Sequence, residues 1–121
     1  MEIHESAENY LETILILENR QGMVRSIDIA GELEYSKPSV SVAMKNLRES
    51  GHIKTDEDGF ITLTESGREV AETMYERHQL LSGYLIKLGV DEKTAMEDAC
   101  RIEHVISEQS FEKIREHVGG K

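Results

Sequence analysis

A chain of 121 residues has room for one or two small compact units, which argues against a large multidomain enzyme. Hydrophobic residues at 38% and charged residues at 31% suit a globular protein rather than a disordered one, and no stretch approaches the roughly 18 apolar residues of a membrane span. The net charge of −10, from 14 basic and 24 acidic side chains, argues against a generic nucleic-acid binder, whose footprint is basic.

That average conceals a gradient. Residues 1–24 carry a net −4 and residues 55–121 a net −7, whereas residues 25–54 carry +1. Between residues 36 and 54, Lys37, Lys45, Arg48 and Lys54 are opposed only by Glu49, so the one cationic surface is expected there. The single cysteine, Cys100, excludes an intrachain disulfide, and no signal-peptide pattern opens the chain, so a cytoplasmic setting is expected. With no tryptophan and two phenylalanines the core is small, and sharing it with a second copy would help.

Residues 6–20 read as a helix, with Ser6 as its N-cap and Tyr10, Leu11, Ile14, Leu15 and Leu17 forming a broad apolar face. Ser26 offers the next N-cap, ahead of Ile27, Ile29, Ala30 and Leu33 at helical spacing. After a break at Tyr35, Ser36 caps a third helix with Pro38 in its first turn, Val40, Ala43, Met44 and Leu47 facing inward, and Gly51 as its stop. Two β-rich runs follow, Ile53–Thr55 and Phe60–Thr64, joined by Asp56-Glu57-Asp58-Gly59, a hairpin signal. Thr64 then opens a long helix to about Leu88, ended by Gly89; Asp91 opens another through Cys100 to about Ser107. Residues 109–117 form a last helix, and residues 119–121 are expected to fray.

Helix, helix–turn–helix and hairpin in that order are the layout of a winged helix-turn-helix. Its third helix would enter the major groove, and the hairpin would brush phosphate. The start of that helix offers Ser36, Lys37, Ser39 and Ser41, with Lys45 and Arg48 one and two turns on, a set suited to phosphate and base edges. A solvated Ser/Lys face on a plain three-helix domain is the alternative, and the hairpin with the local charge reversal favours DNA. Pro38 belongs to the same surface, and Arg25, Ser26 and Lys54 are expected as backbone contacts.

The sharpest local chemistry is Cys100-Arg101-Ile102-Glu103-His104. Positions i, i+3 and i+4 of a helix share a face, so thiol, carboxylate and imidazole converge as half of a transition-metal site. The other reading makes Cys100 a small core residue, Glu103 a solvated charge and His104 a surface histidine, and spacing alone does not choose. His4, Glu8, Asn9 and Glu12 cluster near the first helix and His78 stands in mid-helix. Taken singly, each of these is better read as structural. Cys100 and His104 lack a third orienting group and an oxyanion hole, and neither a glycine-rich phosphate loop nor an HExxH pair is present, so an enzyme is discounted and no small organic substrate is expected.

Together ENYLETI, SIDIAGELEYSKPSVSVAMKNLRESG, LTESGREVA, YERHQLL and EDACRIEHVIS resemble the diphtheria-toxin-repressor family of iron- and manganese-dependent transcriptional repressors. The resemblance runs from about residue 6 to 116, and its most specific parts are Cys-x-x-Glu-His and the Ser-x-Pro-Ser/Thr-Val-Ser start of the third helix. It implies a mainly α chain: a winged helix-turn-helix DNA-binding domain with a small β-hairpin wing over residues 1–74, then an all-helical dimerisation and metal-binding domain over 75–121. It also implies a homodimer on double-stranded operator DNA, activated by metal, controlling metal uptake genes, in the short two-domain form.

By position, the resemblance matches Cys100, Glu103 and His104 to the iron-type primary site. Asn9 stands where iron-type members have methionine and manganese-type members aspartate. Glu12 and His78 match manganese-type ligands, and His78 also matches the iron-type ancillary site, of which Ser82 and Met96 replace a glutamate and a histidine. Cys100 stands where manganese-type members have glutamate. Its thiolate makes Fe(II) the first expectation and Mn(II) the second, with Co(II), Ni(II) or Zn(II) as surrogates. Val42 stands where some members carry a glutamine facing the groove, and it is suited to a thymine methyl. The competing readings are a metal-independent winged-helix regulator answering another signal, an enzyme using Cys100 as nucleophile, and a dimeric interaction module without DNA. Of residues 80–106, Leu80, Leu81, Tyr84, Leu85, Ile102, Val105 and Ile106 are expected to supply dimer and core packing.

Overall fold

The computed structural model describes residues 5–119. His4, which clusters with Glu8, Asn9 and Glu12 in the sequence, and residues 120–121, expected to fray, lie outside them. Within the described residues run α1 (Glu5–Gln21), α2 (Ser26–Leu33), α3 (Lys37–Glu49), β1 (Ile53–Thr55), β2 (Ile61–Leu63), α4 (Glu65–Leu88), α5 (Glu92–Val105) and α6 (Glu108–Gly119). The fold is mainly α with a two-stranded antiparallel hairpin. The chain divides into two compact units, Met1–Glu72 and Thr73–Lys121, and α4 runs through the division. No helix among the described residues is long and apolar enough to cross a membrane.

In the first unit the apolar stripes meet as their periods require. Leu11 and Ile14 of α1, Ile29 of α2 and Val40 of α3 are fully buried, with Met44, Leu47, Ile53, Ile61 and Leu63 beside them. Burying each such side chain contributes about 1.5–3 kcal/mol. Val24 extends the hairpin, its carbonyl accepting the Ile61 N–H at 2.7 Å. Three expectations need correction. Ser6 is not an N-cap, because α1 already begins at Glu5. Ser26 is the first helical residue of α2 rather than its cap; Arg25 takes that place, its N–H donating to the Asp28 carboxylate at 2.9 Å. Ile27 is 56% exposed, so it belongs to the surface and not to the inward stripe of α2.

The turn between α2 and α3 uses Glu34 in the left-handed conformation, φ 60°, where glycine is the usual residue. Ser36 caps α3, its Oγ accepting the Ser39 N–H at 3.3 Å and donating to Ser39 Oγ at 2.9 Å. In the hairpin Ile53 pairs Leu63 and Thr55 pairs Ile61. The second strand is shorter than expected at both ends. Phe60 donates its N–H to Asp56 Oδ1 at 2.9 Å in the turn, and Thr64 turns away to donate its hydroxyl to the Gly51 carbonyl at 2.7 Å. Thr64 also accepts the Gly67 N–H, starting α4. Gly67 meets the His52 backbone so closely that a Cβ there would collide with the His52 carbonyl.

The second unit is smaller. Leu81, Ala99 and Phe111 form its buried centre, with Leu80, Ile102, Ile106 and Ile114 packed around them. Gly89, φ 111°, ends α4, and Asp91 caps α5 by accepting the Thr94 N–H at 2.9 Å, which holds its carboxyl below the usual range. α5 stops at Val105, two residues before the expected Ser107, because the Ser107 Oγ accepts the Ser110 N–H at 3.0 Å and starts α6 instead. Val105 is 72% exposed and contributes nothing to this unit's core.

Candidate metal centre and nucleic-acid face

The helical spacing of Cys100, Glu103 and His104 places all three on one face of α5, and one donor atom from each lies within 4.8 Å of the others. Glu103 is completely buried, which removes the reading that makes it a solvated charge. An ionised carboxylate withdrawn from water costs several kcal/mol unless partners offset it. Two imidazoles flank this one: His78 Nδ1 from α4 lies 2.9 Å from Glu103 Oε1, and His104 Nε2 lies 3.4 Å from Glu103 Oε2. The His104 side chain is itself only 4% exposed, so the surface-histidine reading also fails.

Sulfur, carboxylate oxygen and imidazole nitrogen from Cys100, Glu103 and His104 are a donor set for a first-row transition metal rather than for calcium or magnesium. Two donors bound to one ion at about 2.0–2.3 Å lie no more than ~4.6 Å apart, so a spread of this size fits a single ion after slight contraction. The residues present fit the group that their sequence pattern suggests.

Asn9 and Glu12 lie one turn apart on α1 in the first unit; Asn9 is half-buried and Glu12 is 4% exposed. The Asn9 backbone carbonyl accepts the Thr13 hydroxyl at 2.8 Å. Ser82 gives its hydroxyl to the His78 carbonyl at 2.7 Å, within α4, and Met96 is 46% exposed. One residue near the cluster carried no sequence signal beyond standing next to His78. Arg77 donates from Nη1 to the carbonyls of Glu103 and Ile106, at 3.0 and 3.2 Å.

On the first unit, Ser36, Lys37, Pro38, Ser39, Ser41, Val42 and Lys45 are all exposed along one side of α3, Val42 at 59%. Arg48 is exposed too, with Nη1 3.4 Å from Thr55 Oγ1 of β1. Lys54 is exposed on β1, Ser26 is half-buried, and the Arg25 guanidinium stacks 4.3 Å from the centre of the Phe60 ring. Arg25 and Arg48 are thus held against the hairpin, pre-ordered rather than waving free. The hairpin turn itself exposes Asp56, Glu57 and Asp58, so its tip repels phosphate.

Two family models match the chain. One, described as an iron dependent repressor N-terminal DNA binding domain, matches residues 2–59; the other, an iron dependent repressor metal binding and dimerisation domain, matches residues 64–120. An uncharacterized HTH-type transcriptional regulator of Methanocaldococcus jannaschii is 33% identical over 113 residues, covering 92% of this chain and 90% of the relative. The transcriptional regulator MntR of Escherichia coli is 33% identical over 111 residues, covering 92% of this chain and 72% of the relative. Among solved structures, a manganese-dependent transcriptional repressor in complex with manganese superposes with a TM-score of 0.85 at 29% identity, over 95% of this chain and 53% of that one. The manganese regulator SloR superposes at 0.84 and 25% identity, over all of this chain and 56% of that one. The chain therefore spans about half the length of these two solved proteins.

Proposed function

Because the chain belongs to the diphtheria-toxin-repressor family, whose members are metal-dependent transcriptional regulators and not enzymes, we propose that it binds double-stranded operator DNA as a homodimer when a divalent metal ion is bound and thereby represses genes of metal uptake. The observation that carries this reading is the fully buried Glu103 carboxylate, gathered with Cys100 and His104 within 4.8 Å and met by His78 Nδ1 at 2.9 Å.

Cys100, Glu103, His104 and His78 are the proposed ligands of the helical unit, and Asn9 and Glu12 of α1 those of the DNA-binding unit. A bound ion supplies positive charge against Glu103 and favours whichever arrangement of the two units lets all its ligands converge. Ligands divided between the units make DNA affinity depend on metal, and by linkage metal affinity depend on DNA to the same extent. Ser36, Lys37, Ser39, Ser41, Lys45 and Arg48 bear on DNA from α3, with Pro38 in its first turn and Val42 against a thymine methyl. Arg25, Ser26 and Lys54 hold phosphate from the flanks, and the acidic hairpin tip leaves such contact to its strands.

For the metal, the thiol of Cys100 supports Fe(II), the softer of the two ions expected from the resemblance. A second reading, Mn(II), rests on similar proteins: two of the solved structures that superpose on this chain are named for manganese. Co(II), Ni(II) and Zn(II) suit the same donors in vitro.

The test is selection of duplexes from a random-sequence pool by the reduced protein, with and without anaerobic Fe(II) or Mn(II). Metal-dependent enrichment of a palindromic site, lost in Glu103→Ala, is the expected result. Equal enrichment without metal would favour a metal-independent winged-helix regulator.

A further inference from the structure

We infer that Arg77 is a positioning residue for the metal ligands, holding the end of α5 that carries Glu103 and His104 against the turn of α4 that carries His78. The inference rests on the metal-site reading above and adds to it a residue that never touches the ion.

The last carbonyls of a helix have no partner within the helix. At the end of α5 two of the carbonyls about that last turn, those of Glu103 and Ile106, are both taken by Arg77 Nη1, at 3.0 and 3.2 Å. A guanidinium is well suited to this place, since its charge opposes the negative end of the helix dipole and its plane is rigid. Its own position is fixed in turn. The Arg77 guanidinium lies over the Phe111 ring of α6, 5.4 Å from its centre, and Arg115 lies over the same ring at 5.2 Å. Arg115 is tied back to Glu76, the residue before Arg77, at 3.1 Å. Phe111 is 2% exposed and belongs to the core, so this assembly joins α4, α5 and α6 at one point.

That point is beside the ligands. Arg77 precedes His78 in the chain, and the carbonyl it binds is that of Glu103 itself, so a single side chain connects the backbones of two proposed ligands on different helices. It does so through main-chain carbonyls, leaving the Glu103 carboxylate to face His78 and His104. Metal sites tolerate errors of only about 0.2 Å in ligand distance, and partners outside the ligand shell typically change affinity 10–100-fold. A brace between the α4 and α5 ligands acts directly on that tolerance.

The experiment compares wild-type protein, Arg77→Met and Arg77→Lys in anaerobic Co(II) titrations with a competing chelator, alongside thermal unfolding of each metal-free protein. Arg77→Met keeps the apolar stem and removes both hydrogen bonds. The expected result is a roughly 10–100-fold weaker Co(II) affinity in folded Arg77→Met and an altered cobalt spectrum at saturation, with partial rescue in Arg77→Lys. Folded Arg77→Met binding Co(II) with wild-type affinity and spectrum while only its melting temperature falls would overturn the positioning role and leave the metal site standing. Should Arg77→Met fail to fold, Arg77→Lys decides by the same criterion. Wild-type protein that binds no Co(II) would overturn the metal-site reading itself.

Discussion

The first unit presents its proposed DNA-binding face outward, while the second unit hides its proposed metal ligands. Lys37, Ser39, Val42 and Lys45 stand exposed on α3 and could be exchanged without opening a core. Glu103 has no exposure at all, and its proposed co-ligands His78 and His104 are largely covered. An exposed charge acts in high dielectric, so its effects are graded and screened by salt. A buried carboxylate among imidazoles acts at short range, and removing one member leaves the others without compensation. On the proposed function, metal sensing would then be all-or-none and DNA contact adjustable.

The contrast yields predictions of decreasing size. Glu103→Ala strikes the buried side: metal affinity is expected to fall by more than about 100-fold, measured by chelator competition, with the first unit's fold unchanged by circular dichroism. If instead the loss were under a few-fold, the buried cluster would not be a metal site. Gly67→Ala tests whether the exposed unit also contains an all-or-none contact, since the added Cβ meets the His52 carbonyl. Overpacking against backbone is expected to cost at least about 1–3 kcal/mol, read as a lower melting temperature. Lys37→Ala with Lys45→Ala tests the graded side. DNA affinity should weaken across all sequences and the slope of log affinity against log salt should become shallower by about 2, because two phosphate contacts are lost.

The smallest effect concerns an exposed carboxylate in the first unit, the counterpart of Glu103. Arg20 holds Glu32 through two hydrogen bonds, at 2.8 and 3.2 Å, and keeps its carboxyl below the usual carboxylate range. The stability this pair contributes is present above the ordinary carboxylate pKa and is lost as pH falls through the lowered one. Being exposed, the pair is largely screened by solvent, so Glu32→Gln should differ only slightly from wild type near neutral pH and converge with it in acid, below the lowered pKa.

The two units also differed in how far their sequences could be read. Local chemistry sufficed where a cap or turn is self-contained: Ser36 on α3, Asp91 on α5, Gly89 after α4 and the Asp56–Gly59 turn. It misled where two residues compete for one role, as when Arg25 with Asp28 displaces Ser26, or when Ser107 serves α6 rather than α5. Glu34 ends α2 with a left-handed backbone that no glycine announces. In the second unit the spacing of Cys100, Glu103 and His104 could be read from helix periodicity, but the 2.9 Å approach of His78 depends on two helices packing. His78 entered the site through family resemblance. Arg77 entered only through the structure, since an arginine that caps another helix leaves no periodic or spacing signature.

The central claim is that Cys100, Glu103, His104 and His78 hold a metal ion, and an anaerobic Co(II) titration of the reduced protein tests it most directly. The account predicts saturable binding with a thiolate-to-cobalt charge-transfer band that is lost in Cys100→Ser. Saturation without that band would remove Cys100 from the site and the argument for Fe(II) with it; no saturable binding would contradict the account.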